Sequence, residues 1–296
     1  MLPAHDTKHV PLLPVPFPTH TFHLAQSSSP ESNGTSLWLC GQVLALYILA
    51  EFPAAPAPAL APVPAPSGGA GPPLVASGHG TPLRRKRAVE LGSGVGLTAL
   101  ALASLGWDVL ATDVPYITTG VLSENVLSNM SLSGPDWGEV HVRALDWREP
   151  LDMGEWELGP PFDLILSADT VYHPSLIGPL LDTLHSLASL SFLEAPEAPE
   201  GQRRKHSCPI LLCLERRDPA LVDAALEQAK SRFGGRRVGA GKLRRALGGG
   251  LGKDARGWEG VELWRFVLQR EGWPERSELA RLLLPSNAVA DVTDAA

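Results

Sequence analysis

Residues 88–97 read Ala-Val-Glu-Leu-Gly-Ser-Gly-Val-Gly-Leu, an apolar run broken by Gly92, Gly94 and Gly96 before a second apolar run begins. Glycines at this density serve where a chain turns sharply and where a ligand must approach main-chain atoms without a Cβ in the way. Many strand-to-helix turns carry glycine for steric reasons alone, so the spacing has to discriminate. A dinucleotide fingerprint wants glycines at its first, third and sixth positions, and the sixth here is Leu97. A phosphate-binding P-loop needs Gly-Lys-Ser/Thr, which does not follow. Asp113 stands 21 residues after Gly92, at the end of the next apolar run. A carboxylate there can accept both ribose hydroxyls of an adenosine ligand, or can serve only as a helix N-cap. Asp146-Trp147 ends a third run, where an aromatic ring can cover an adenine. Ser167-Ala168-Asp169-Thr170-Val171-Tyr172 ends a fourth. Four successive run ends thus offer glycines, an acid, Asp-Trp and Asp-x-x-Tyr, a coincidence far more specific than any one of them.

Those ends can meet only if the runs are strands of one sheet. Strand-like and helix-like blocks alternate from residue 88 onward: strands over 88–91, 109–112, 140–145, 162–167, 210–214 and 261–268, and helices over 95–105, 117–129, 175–190 and 219–232. The 175–190 helix is the clearest, with Leu176, Leu180, Leu184 and Leu187 on one stripe. An earlier helix is expected over 36–51, with Leu37, Val43, Leu44, Tyr47 and Ile48 sharing a broad apolar face. Repeated β-α-β units require a largely parallel sheet with helices on both faces, and parallel sheets bind ligands at the carboxyl ends of their strands. The expectation is one doubly wound α/β domain.

With these residues assembled, the sequence resembles the family 16 protein-lysine methyltransferases, members of the seven-β-strand, S-adenosylmethionine (SAM)-dependent class I superfamily. The resemblance rests on Gly34-Thr35-Ser36-Leu37-Trp38, Glu90 to Gly96, Thr112-Asp113, Glu124-Asn125 with Asn129, Asp146-Trp147 and Asp169-x-x-Tyr172, spanning about residues 34–190. It implies a Rossmann-like seven-stranded sheet, mostly parallel with a C-terminal antiparallel strand. It further implies SAM as cofactor, with Trp38 closing over it, Gly92, Ser93 and Gly94 at its methionine end, Asp113 on the ribose, Trp147 on the adenine and Ala168 contacting it through the backbone. Asp169 and Tyr172 would then line the acceptor site, and the substrate would be a protein carrying the acceptor lysine. A small-molecule N-methyltransferase and a non-catalytic SAM-binding interaction protein are the alternatives. Amino-methylating nucleic-acid enzymes often carry two prolines where this chain has Thr170 and Val171, which speaks against a nucleic-acid acceptor.

Composition bounds the rest. Of 296 residues, Gly 29 and Pro 28 make up 19%, against a usual ~12%. Much of the excess lies in 53–73, with eight prolines, seven alanines, three glycines and no charge, which reads as a linker. The organisation expected is an irregular segment 1–33, a domain over 34–275 carrying a proline-rich insertion 53–82 and a basic loop 230–257, and a tail 276–296. Residues 230–256 carry nine basic residues against Asp254 and read either as a surface for an acidic partner or RNA, or as a flexible insertion. Arg84-Arg85-Lys86-Arg87 reads as a solvated lead-in to a strand or a nuclear address. The net charge of −7 argues against a general nucleic-acid binder. Three cysteines, Cys40, Cys208 and Cys213, make neither a disulfide framework nor a zinc site, so a reducing, cytoplasmic setting is expected, with the nucleus as a second location. His206-x-Cys208 with Cys213 lacks a fourth ligand, and no metal is expected. Residues 37–50 are apolar but too short to span a bilayer. A monomer is expected, Glu90 is read as an organiser of the glycine loop, and His173 either touches substrate or begins a turn.

Overall fold

Strands flanked by helices on both sides have no solvent face, so their sequences run continuously apolar rather than alternating. The computed structural model bears this out over the residues it describes: 4–27, 33–52, 84–195 except 153 and 155, 208–248 and 257–269. In chain order the elements are α1 (Ala4–Thr7), β1 (Leu12–Pro16), β2 (Thr21–Ala25), α2 (Leu39–Glu51), β3 (Arg87–Leu91), α3 (Leu97–Ala103), β4 (Asp108–Asp113), α4 (Pro115–Ile117), α5 (Ser123–Met130) and β5 (Val140–Ala144). There follow β6 (Leu164–Ala168), α6 (Pro174–Glu194), β7 (Ile210–Glu215), α7 (Pro219–Arg232), β8 (Phe233–Arg237), α8 (Ala240–Gly248) and β9 (Val261–Leu268).

Seven strands form one sheet in the order β5-β4-β3-β6-β7-β9-β8. The five strands from β5 to β7 are parallel, and β9 inserts antiparallel between β7 and β8. This is the expected doubly wound sheet with its C-terminal antiparallel strand. Side chains alternate between two cores. Ala88, Val109, Leu166 and Cys213 pack with α2, α3 and α8, whereas Val89, Leu110, Ile165 and Leu212 pack with α6 and α7. Each fully buried Leu, Ile or Phe contributes roughly 1.5–3 kcal/mol.

Segment 1–33 departs from its expected irregularity. β1 and β2 pair as an antiparallel hairpin, with Phe22 and Leu24 packed against Leu97 and Leu100 of α3 and Ala45 of α2. Helix α2 is therefore buried nearly all round rather than along one face, and it starts at Leu39 rather than Ser36. Strand β2 of the hairpin is held by α5: Asn125 Oδ1 accepts from Ala25 N at 2.6 Å while its Nδ2 donates to Ala25 O and Val95 O, and Asn129 treats His23 N and O in the same way. Two amides one helical turn apart thus stand in for a neighbouring strand. The expected 117–129 helix is broken at Gly120, whose φ −108°, ψ −116° no helix accommodates, into a π-turn over 118–122 and α5.

The basic 230–257 stretch is not simply a loop. It contains β8 and α8, the latter burying Leu243, Ala246 and Leu247. Gly235 is required in β8 because a Cβ there would lie 2.0 Å from Phe266 Cδ1. The expected 53–82 insertion and 276–296 tail lie outside the described residues. Arg84 and Lys86 are exposed, as a solvated lead-in should be; Arg84 pairs with Asp163 at 3.0 Å and Lys86 lies over the Trp107 ring. Cys208 and Cys213 fall on opposite faces of the sheet, and among the described residues no cluster of His, Cys, Asp and Glu could hold a metal ion. Helix α6, long and apolar enough by composition to cross a membrane, is buried against the sheet as a core helix.

Candidate active site

The carboxyl ends of β3, β4, β5 and β6 open onto a single cavity of about 380 Å³. It is lined by Trp38, Gly92, Gly94, Asp113, Trp147, Ala168, Asp169 and Tyr172, which are all the expected site residues except Ser93. Ser93 lines a smaller cavity of about 40 Å³ that shares Trp38, Gly92, Gly94 and Ala168 with the larger and adds Glu90.

Each residue is placed by local physics. The glycine loop turns through three left-handed residues, Gly92 (φ 71°), Gly94 (φ 53°) and Gly96 (φ 86°), which side chains rarely adopt. Space is short as well: a Cβ on Gly92 would lie 2.7 Å from Thr170 Cγ2 and 3.3 Å from Trp147 Cζ2, and one on Gly94 would lie 3.1 Å from Gly34 O. The loop is tied to its neighbours by Ser93 N donating to Thr112 O and by Thr112 Oγ1 donating to Glu90 O. Asp113 is not a helix N-cap. Its Oδ2 accepts from Gly94 N and its Oδ1 from Val114 N, both at 2.8 Å. A carboxylate has about four lone-pair sites, so one on each oxygen remains for a ligand. Burial pushes its pKa up and those two amide donors pull it down.

Glu90 is buried beneath the loop with its pKa pushed up to about 8, chiefly by burial and against hydrogen bonds from Ser93, Thr98 and the Ala99 amide. Its Oε2 has no partner, and neither has the buried Nε1 of Trp147. Two buried polar atoms without protein partners, beside a loop where Cβ atoms would collide, fit a site for a polar ligand.

On the other side of the cavity, Asp169 holds a left-handed backbone (φ 60°), rare for a residue with a side chain. Ser167 Oγ, bonded to Leu91 O and to Thr170 Oγ1, fixes this turn. Tyr172 and Tyr116 stand at the rim, 47% and 58% exposed. His173 begins a turn: its Nδ1 accepts from Ser175 N and caps α6.

Among the polar and aromatic side chains of the wall, sequence reasoning missed three. Tyr116 and Arg148 lie a few residues beyond recognised strand ends and belong to no motif. Arg217, beyond β7, reaches Asp169 Oδ2 at 2.6 Å and lies over the Trp38 ring at 4.7 Å from its centroid. Only the distance of each from a strand end marked them.

The chain is 34% identical over 104 residues to the EEF1A lysine methyltransferase 3 of Mus musculus, covering 35% of this chain and 41% of that one. It is 37% identical over 111 residues to the protein N-lysine methyltransferase METTL21A of Danio rerio, covering 36% and 46%. The matched stretch spans less than half the length of these relatives. Among solved structures, a TehB-like SAM-dependent methyltransferase from Corynebacterium glutamicum aligns at 17% identity with a TM-score of 0.40, over 63% of this chain and 82% of that one. A family model described as lysine methyltransferase matches residues 17–195, from the hairpin through α6, and the chain belongs to that family.

Proposed function

We propose that the chain transfers a methyl group from SAM to the side-chain nitrogen of a lysine in a protein. The observation that carries this reading is the shared cavity: Gly92, Gly94 and Asp113 line the same space as Asp169 and Tyr172. The residues present fit SAM. Asp113 has free lone pairs for ribose hydroxyls, Trp147 offers an aromatic wall for adenine, and the unpartnered Oε2 of Glu90 lies beside the smaller cavity, where it can meet a polar group of the ligand.

When bound, SAM supplies an electrophilic methyl on a sulfonium. The chain's own task is alignment, since an in-line displacement needs nucleophile, methyl and leaving sulfur held on one axis. A lysine amine attacks only as the neutral base, and from a pKa near 10.4 its neutralisation at pH 7 costs about 4–5 kcal/mol. Asp169 and the aromatic faces of Tyr172, Tyr116 and Trp38 receive and favour the cationic head group; against them, desolvation in the cavity favours the neutral amine, whose proton leaves to solvent. No residue of the site is assigned as general base. The exposed tyrosines favour a macromolecular acceptor over an enclosed small molecule. Three buried free cysteines support a cytoplasmic setting, and the chain is taken to act as a monomer.

The test is incubation of the full chain with tritiated SAM and a lysate from cells lacking the gene, with labelled proteins mapped by mass spectrometry. Label on a lysine nitrogen is expected. Label confined to small molecules, or none with SAM bound, refutes the reading.

A further inference from the structure

Asp169 pairs a strained backbone with a carboxylate 12% exposed. Burial drives such a group toward its neutral form, and Glu215 pushes the same way. Against both stands Arg217, two residues beyond β7. Its Nη2 donates to Asp169 Oδ2 and to Glu215 Oε2, each at 2.6 Å, and its Nε donates to Glu215 Oε2 at 2.9 Å. Its guanidinium also lies over the Trp38 ring, 4.7 Å from the centroid. One side chain therefore joins the acid on the acceptor side, an anchoring acid at the end of β7, and the indole at the start of α2. The rigid, permanently charged fork and flat face of arginine suit all three contacts, and lysine could not make them together.

We propose that Arg217 is a positioning residue of the acceptor site: it supplies the counter-charge that keeps Asp169 an anion aimed into the cavity and pins Trp38 beside it. The remaining groups facing Asp169 are Glu215 from the end of β7, the Cys40 thiol from α2, which donates to Oδ1 at 3.7 Å, and Tyr172 from its own loop. Neither the thiol nor the phenol can replace a cation. The functional meaning rests on the methyl-transfer reading. The physical content, which group holds the charge on Asp169, is measured without turnover.

The experiment is a ¹³C carboxyl NMR titration of the full chain, with the Asp169 resonance assigned by its loss in D169N. Loss of an opposite charge at this distance is worth about 1–3 pKa units, so R217Q should raise the Asp169 midpoint by about one unit or more. R217K should restore most of the wild-type midpoint, and E215Q should lower it by removing a like charge. Arg217 is 44% exposed, so R217Q leaves the core intact. The ratio of R217Q to wild-type kcat/KM cancels the ionisation of the acceptor itself. It should fall as the pH is lowered, about tenfold for each unit of midpoint shift. An Asp169 midpoint unmoved in R217Q overturns the proposal, as does one unmoved in R217M should R217Q fail to fold. A wild-type chain that transfers no methyl group overturns the catalytic reading while leaving the titration result to decide this one.

Discussion

Glu90→Gln should change how stability depends on pH. The carboxyl is 1% exposed, and burial holds its pKa at about 8 against an ordinary 4.5. Between those values the folded chain keeps a proton that the unfolded chain has released, so folding takes up a proton. Its contribution is fully present below pH 4.5 and is lost as the pH rises through the window to about 8. At about 1.4 kcal/mol per pH unit, wild type loses about 3 kcal/mol from this group by pH 7 and nearly 5 across the whole window. Glutamine has the shape of the protonated acid and no proton to release, so E90Q escapes the loss. Urea unfolding of both proteins at pH 5, 6, 7 and 8 is the assay, and taking the difference cancels every other titrating group. The stability of E90Q relative to wild type should climb by about 1.4 kcal/mol per pH unit. Parallel pH profiles would show that Glu90 is ionised in the folded chain, and the argument from its burial would fail.

Asp113→Ala removes the acceptor of the Gly94 and Val114 amides along with the ribose partner, and calorimetric SAM affinity should fall by at least about tenfold. An unchanged affinity takes Asp113 out of the ribose role. Asp169→Asn should leave SAM binding intact while transfer drops by about 100-fold, since only acceptor alignment is lost; retained turnover would refute its placement at the acceptor. Asn125→Ala removes three hydrogen bonds, two to Ala25 of the hairpin and one to Val95 O, and should cost about 2–4 kcal/mol in chemical unfolding. A cost below about 0.5 kcal/mol would mean that apolar packing alone seats the hairpin.

What the sequence reveals here follows from burial. β3, β4 and β6 are covered on both faces, so each is a short apolar run that ends where Gly92, Asp113 or Asp169 turns the chain. Those endings are also the site, which is why the cavity residues were legible together with the strands. The edges were not. β1 reads Leu-Leu-Pro-Val-Pro, and prolines are tolerated in it because its second edge pairs with no strand among the described residues. β8 reads Phe-Gly-Gly-Arg-Arg, a loop composition that becomes a strand only because β9 offers Phe266 for Gly235 to accommodate.

The Asn125/Asn129 pair shows the limit more sharply. Two asparagines in a helix carry no propensity signal, yet their spacing of four residues puts both amides on one face, where they complete the hairpin's hydrogen bonds. The hairpin in turn leads to the 33–38 segment: Leu37 N donates to Gln26 Oε1, Ser27 N to Thr35 O, and Gly34 O lies where a Cβ on Gly94 would crowd it. Trp38 therefore reaches the cavity through a chain of contacts running from α5 through β2, none of them local in sequence. Asn125→Ala should accordingly weaken SAM binding as well as stability, although Asn125 lines neither cavity. A variant that loses stability but keeps full affinity would show that Trp38 is held by Arg217 and α2 alone.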